Sequence, residues 1–200
     1  RQEFTDRLVA RTRGLRVGPG LDEETEMGPL IHPEQVERVA GYVRVGKEEG
    51  ARLIFGGSPL DKGIHAAGCF FEPTIFDRVT PDMRIAQEEI FGPVLSILEV
   101  KGGIFEAIEV ANDSRFGLSS SVYTRDVNAA FAAIEGIEAG ITYINGPTIG
   151  AEIQLPFGGV KETGNGHREA GTAVYDVFTE WKSVYVDYSG RLQKAQIDPQ

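Results

Sequence analysis

PVLSILEVKGGIFEAIEVAND, residues 93–113, holds the change of period that decides the fold class. PVLSILEV, 93–100, is apolar nearly throughout, as a strand covered on both faces should be. After Gly102-Gly103, Ile104, Ala107, Ile108 and Ala111 fall in line at helical spacing, predicting a helix over 103–112. The alternation then continues. SSSVYT reads as a strand, 127–138 as a helix with Val127, Ala130, Phe131 and Ile134 in line, and GITYIN as another strand. Strand, helix, strand, helix, strand implies right-handed crossovers and an α/β fold with a doubly wound, mostly parallel sheet.

Upstream, Phe4, Leu8 and Val9 share one face of a helix stopping near Gly14, and a second helix has Pro33 in its first turn and ends at Gly46 or Gly50. RLIFGG is a short strand. CFFEPTIFDRV is strand-like but interrupted by Pro73, which argues for an edge or a bend. Downstream, Gly146 to Gly171 is glycine-rich without a period: a long ordered loop, functional by the usual logic of such loops, leading into a helix near 168–179. KSVYVDY, 182–188, alternates as a late strand able to pair with another subunit, and the rest reads as an exposed arm. The expected organisation is one α/β domain over 1–181, followed by an oligomerisation strand and C-terminal arm over 182–200.

Two hundred residues with 41% hydrophobic content can bury one good core. The formal net charge of -10, with no Lys/Arg-rich run, argues against nucleic acid and anionic membranes as partners. A single cysteine, Cys69, excludes an internal disulfide framework and a cysteine-based zinc site, and His32, His65 and His167 are too scattered for ligand spacing. No metal is expected, and the composition fits a reducing cytoplasm. The sequence opens on Arg1 inside a helical pattern, so it is expected to be a piece of something longer.

Several tempting patterns fail. Gly159 and Gly164 have the spacing that opens a P-loop, but Asn165 and Gly166 stand where Lys and Ser or Thr are needed. GNGHREA, 164–170, imitates a dinucleotide fingerprint without the buried strand that must precede one. Asn112-Asp113-Ser114 is better suited to ending a helix than to carrying a glycan. Cys69, beside Phe70 and Phe71, reads as an inert thiol.

Glu88 and Glu89 run straight into Ile90-Phe91-Gly92-Pro93. Glu88 reads as a solvated residue. Glu89 sits where glycine and proline force a stiff entry into the most apolar strand; a carboxylate fixed there could accept paired hydrogen bonds from two vicinal hydroxyls, with Phe91 as a flat wall. A ribose is the obvious ligand.

Three ordered motifs, Gln87-Glu88-Glu89-Ile90-Phe91-Gly92-Pro93-Val94, Asn112-Asp113-Ser114-Arg115-Phe116-Gly117-Leu118 and Pro156-Phe157-Gly158-Gly159-Val160-Lys161, resemble the C-terminal part of the NAD(P)-dependent aldehyde dehydrogenase superfamily. The resemblance covers essentially the whole chain. It implies a doubly wound catalytic domain whose late strand joins a neighbouring subunit, NAD or NADP as cofactor, a small-molecule aldehyde as substrate, and a homo-oligomer. By the same resemblance, Glu89 holds the nicotinamide ribose, Phe91 contacts the nicotinamide end, and Phe157 lines the aldehyde tunnel. The family's nucleophilic cysteine and general-base glutamate match no residue here, and Cys69 is not at the cysteine position; the 200 residues alone are expected to be inactive. Residues 146–153 and the Asp187-Tyr188-Ser189 ending look most like the aminoadipate-semialdehyde branch. Gly150 and Ala151 resemble the loop that holds a substrate carboxylate through backbone N–H groups, while Gln154, Leu155 and Pro156 depart from that branch. The alternative expectation is a non-catalytic binding or assembly module derived from the family.

Overall fold

The computed structural model describes residues 1–150 and 152–191. Helix α1 spans Gln2–Arg13 and helix α2 Pro33–Glu48. His32 caps α2 by accepting the Gln35 N–H on Nδ1, and Pro33 follows at the first helical position, where its missing N–H costs nothing. Gly46 does not end α2. It is buried inside it, where a Cβ would lie 3.0 Å from Ile85 Cδ1 and 3.1 Å from Phe76 Cζ, so its lack of a side chain lets the helix close on the sheet. The stop comes at Gly50, with φ of +95°.

Strand β1, Arg52–Phe55, leads into the small hairpin of β2, Pro59–Leu60, and β3, Phe70–Phe71. Past Pro73 the chain enters β4, Thr74–Val79, then the single-turn helix α3, Arg84–Gln87, and β5, Val94–Leu98. These form a three-stranded sheet in the order β1-β4-β5. β4 and β5 are parallel, but β1 runs antiparallel to β4, because the β2–β3 hairpin returns the chain at one end of the sheet rather than crossing over it. The core lies between α2 and this sheet: Val39, Val43, Phe71, Phe76, Val79, Ile85 and Ile90 are buried together.

Helix α4, Gly103–Asn112, occupies the predicted span. It is followed by β6, Phe116–Gly117, β7, Ser119–Val122, helix α5, Val127–Gly136, and β8, Ile141–Ile144. β7, α5 and β8 are a βαβ unit with parallel strands. α5 stops two residues short of expectation: Gly136 packs with a notional Cβ 3.0 Å from Ile108 Cγ2 of α4, and Ile137 is already extended. β9, Val160–Lys161, pairs antiparallel with β6.

The expected single, mostly parallel sheet is not formed. Among the described residues there are four separate pieces with two parallel ladders and three antiparallel ones. β5 and β7, though joined by α4, do not pair. The helix expected near 168–179 shrinks to α6, Val174–Phe178, after a 3-10 turn, because Ala170 and Gly171 have φ of +63° and +54°, which no right-handed helix admits. Residues 182–188 are exposed and have no ladder partner among the described residues. No helix of the described residues is long and apolar enough to cross a membrane.

Candidate functional site

The turn carrying Glu88 to Gly92 is held by one face of α2. Gln35, Arg38, Val39 and Tyr42 occupy positions i, i+3, i+4 and i+7, which a helix brings into line. Tyr42 Oη donates to Glu88 Oε2 at 2.7 Å. Arg38 donates to the Glu89 carbonyl at 2.7 Å. The Gln35 amide donates to the carbonyls of Ile90, at 3.0 Å, and Phe91, at 2.8 Å. Gly92 closes the series, since a Cβ there would collide with the Val39 side chain. From Tyr42 through Arg38 to Gln35, the polar side chains of this face thus meet successive residues of the turn, Glu88 to Phe91, while Val39 between them packs on Gly92.

The two adjacent glutamates have opposite fates. Glu88 is half-buried and bound bidentately by Arg84, through Nε at 2.8 Å and a terminal nitrogen at 2.9 Å, in addition to Tyr42. The Arg84 hydrogen bonds, then that of Tyr42, pull its pKa down from 4.5 to about 2, and the same carboxylate pushes the Tyr42 phenol up. Arg38 and Arg84 stack on the Tyr42 ring at 5.5 and 5.7 Å. Glu88 is therefore a structural anchor, not the solvated residue the sequence suggested. Glu89 is exposed, and its carboxylate takes no hydrogen bond or ion pair among the described residues. Phe91 stands beside it, 73% exposed, on a left-handed backbone with φ of +55°. A bulky residue seldom adopts that conformation.

The other expected site residues lie on the loop after β8. Gly150 has φ of +82°, and its carbonyl accepts the Tyr143 hydroxyl at 2.7 Å. Ala151 lies outside the described residues. Phe157 is half-buried and forms an isolated antiparallel bridge with Glu169. It lines a cavity of about 860 Å³ with Glu152, Ile153, Glu169, Val177 and Phe178. Neither Glu89, Phe91 nor Gly150 belongs to that lining, so the expected residues fall into a turn held by α2 and a loop with a cavity.

The three motifs converge on the carbonyls that end α4. The Gln87 amide donates to Asp113 O at 2.7 Å, and Lys161 Nζ donates to Asn112 O at 2.7 Å and Ser114 O at 3.0 Å. Three successive carbonyls at a helix C-terminus, which the helix cannot satisfy itself, are thus met by side chains of the other two motifs, one of them cationic. Asn112 ties the ends of both helices, donating to Gly136 O at 2.7 Å and accepting the Glu138 N–H at 2.8 Å. A Cβ at Gly140, just before β8, would collide with the Gly158 carbonyl of the glycine-rich loop, and within that loop one at Gly164 would collide with that of Gly159. These glycines serve backbone packing. No helix follows Gly164 as a dinucleotide fingerprint requires; the chain turns instead.

The profile of the aldehyde dehydrogenase family matches residues 1–184. Among similar proteins is an alpha-ketoglutaric semialdehyde dehydrogenase of Bacillus subtilis, 42% identical over 92% of this chain and 38% of that protein. A betaine aldehyde dehydrogenase of Mesorhizobium japonicum is 45% identical over 92% of this chain and 37% of its own length. Among solved structures, an NAD-dependent aldehyde dehydrogenase from Sinorhizobium meliloti superposes with a TM-score of 0.90 at 38% identity, covering 98% of this chain and 38% of that one. A betaine aldehyde dehydrogenase from Staphylococcus aureus, solved in complex with NAD+, gives 0.84 at 35% identity over 89% of this chain and 35% of its own. The chain spans less than two fifths of the length of each of these relatives.

Proposed function

The chain belongs to the aldehyde dehydrogenase family, and from that premise we propose that it is the C-terminal segment of an enzyme oxidising an aldehyde to the carboxylic acid with NAD or NADP. The observation that carries the reading is the contrast at 88–91: one carboxylate locked into the scaffold, the next uncommitted beside an exposed aromatic face. A carboxylate held by its backbone, with both oxygens unpaired among the described residues, fits a vicinal diol such as a ribose.

In this proposal Glu89 accepts from the hydroxyls of the nicotinamide ribose, and Phe91 packs on the nicotinamide end. The cofactor, when bound, accepts the hydride. Phe157 walls the aldehyde cavity and excludes water from it. The thiolate and the general base match no residue of this sequence; the proposal assigns them to the part of the enzyme that the chain does not span, so the 200 residues alone are inactive. The exposed segment 182–188, with Val184, Tyr185 and Val186, pairs with a second subunit in a homo-oligomer. Replacing Val184 and Val186 by Glu is expected to lower the native mass of the assembly; an unaltered mass removes the segment from the interface.

Two substrate charges compete. The resemblance of Gly150 and Ala151 to a carboxylate-holding loop, with the 42% identical semialdehyde dehydrogenase, favours a carboxylate-bearing semialdehyde. Glu152 and Glu169, with Phe157 and Phe178 around the same cavity, favour a cationic head group, since carboxylates and aromatic faces attract cations and repel anions. The test is steady-state kinetics of the intact enzyme with one aldehyde of each charge and with NAD and NADP in turn. Oxidation of either aldehyde supports the function, and the ratio of kcat/KM between them decides the charge. Reduction of neither cofactor with any aldehyde, under conditions where the enzyme is folded, leaves the non-catalytic assembly module.

A further inference from the structure

We infer that Gln35, with Arg38, is a positioning residue for the cofactor turn: helix α2 sets where the Glu89 carboxylate and the Phe91 ring stand by holding their backbone rather than their side chains. The inference rests on the assignment of Glu89 and Phe91 to the cofactor.

Three observations carry it. Phe91 lies in the left-handed region, at φ of +55°, a conformation a bulky residue keeps only when its surroundings impose it. Its side chain is 73% exposed, so apolar packing of the ring does not impose it. The backbone contacts do. The Gln35 amide spans the carbonyls on both sides of the Phe91 N–Cα–C unit, Ile90 O at 3.0 Å and its own at 2.8 Å, which fixes both peptide planes. Arg38 fixes the preceding plane through Glu89 O at 2.7 Å. Gln35 is placed in turn from below, its own N–H held by His32 Nδ1 at 3.1 Å at the helix start.

Chemically the arrangement leaves the Glu89 carboxylate and the Phe91 face free for a ligand while denying their backbone other conformers. Binding then need not order the turn, and the cost of ordering would otherwise be subtracted from affinity. Without the Gln35 donor, Phe91 is expected to relax to an ordinary backbone conformation and carry Glu89 out of reach of a diol.

The test is direct binding of NAD and NADP to the intact enzyme by calorimetry, with Glu89→Gln, Gln35→Met and Gln35→Glu measured beside the unaltered protein. Met matches the length of Gln without its donor, and Glu keeps its shape but accepts where donation is needed. Both Gln35 variants are expected to weaken the dissociation constant by about tenfold, the worth of one or two lost donors, while KM for the aldehyde stays unchanged. A merely structural role would lower the unfolding temperature and leave the dissociation constant of the folded fraction as it was, and that result overturns the inference. If Glu89→Gln weakens binding but both Gln35 variants bind as tightly as the unaltered protein, positioning by α2 fails and the cofactor assignment stands. Undiminished binding by Glu89→Gln takes the assignment down, and the inference with it.

Discussion

Between residues 33 and 98, α2 lies on the β1-β4-β5 sheet and the apolar side chains find each other: Val39 and Phe76 are 0% exposed and Phe71 is 1% exposed. From residue 127 onward the same kinds of residue face outward, Phe131 at 60%, Ile153 at 83% and Trp181 at 90% exposed. Both regions have regular elements, β8 and β9 of the second pairing with β7 and β6 just before it, yet among the described residues only the first holds the buried apolar cluster. The second is tied to the elements just before it largely by polar contacts: Lys161 on the end of α4, Asn112 between α4 and α5, and glycines that let backbones touch. Regular structure and a self-sufficient core are thus separable, and in this chain they separate along the sequence.

The contrast can be broken most directly at Phe76, which touches both α2 and the sheet. Phe76→Ala is expected to cost about 3–5 kcal/mol, the usual penalty for an aromatic side chain removed from a packed interior, measured by urea unfolding. A loss below about 1 kcal/mol would mean the first region is no better packed than the second. Lys161→Met sharpens the other side. It removes two hydrogen bonds from a cation and the 2.8 Å pair with Glu138, and is expected to cost about 1–2 kcal/mol. Amide exchange should rise in 112–117 and 160–163 and stay as it was in 74–79. Equal acceleration in both regions would show the two to be one cooperative unit.

Much of this was legible in the sequence, for reasons that differ along the chain. Helix 103–112 was read to the residue because its apolar period runs unbroken between Gly102 and the Asn112-Asp113 stop. The break at Pro73 and the strand within 93–100, observed over Val94–Leu98, followed from the same local rules. The sheet was misread because period reports strands, not partners: nothing in RLIFGG says that the β2–β3 hairpin turns it antiparallel to β4. The helix near 168–179 failed on two left-handed residues, one of them Ala170, whose conformation no local signal announces. Glu89 and Phe91 were singled out by the stiff Gly92-Pro93 entry. The grip of Gln35, Arg38 and Tyr42 on their turn was missed, since the contact joins residues some 50 positions apart; its one sequence trace is polar residues at i, i+3 and i+7 of a helix.

The smallest expected effect separates the two neighbouring carboxylates by their contribution to stability. The pKa of Glu88 is pulled down from 4.5 to about 2 by Arg84 and then Tyr42, so the folded state favours its charged form. A depressed carboxylate contributes fully above its unfolded value of 4.5, and that contribution is lost as pH falls through about 2. Glu88→Gln should therefore flatten the decline of stability in this acid window and leave its shape near neutrality unchanged. The lost ion pair also lowers stability as a constant offset at neutral pH, modest because Arg84 is half exposed to solvent. The same substitution at Glu89, whose carboxylate has no partner among the described residues, removes no such contact and should leave stability at neutral pH as it is. An equal change at both positions would mean that Glu89 is also held by the scaffold, and the free carboxylate on which cofactor recognition depends would be lost.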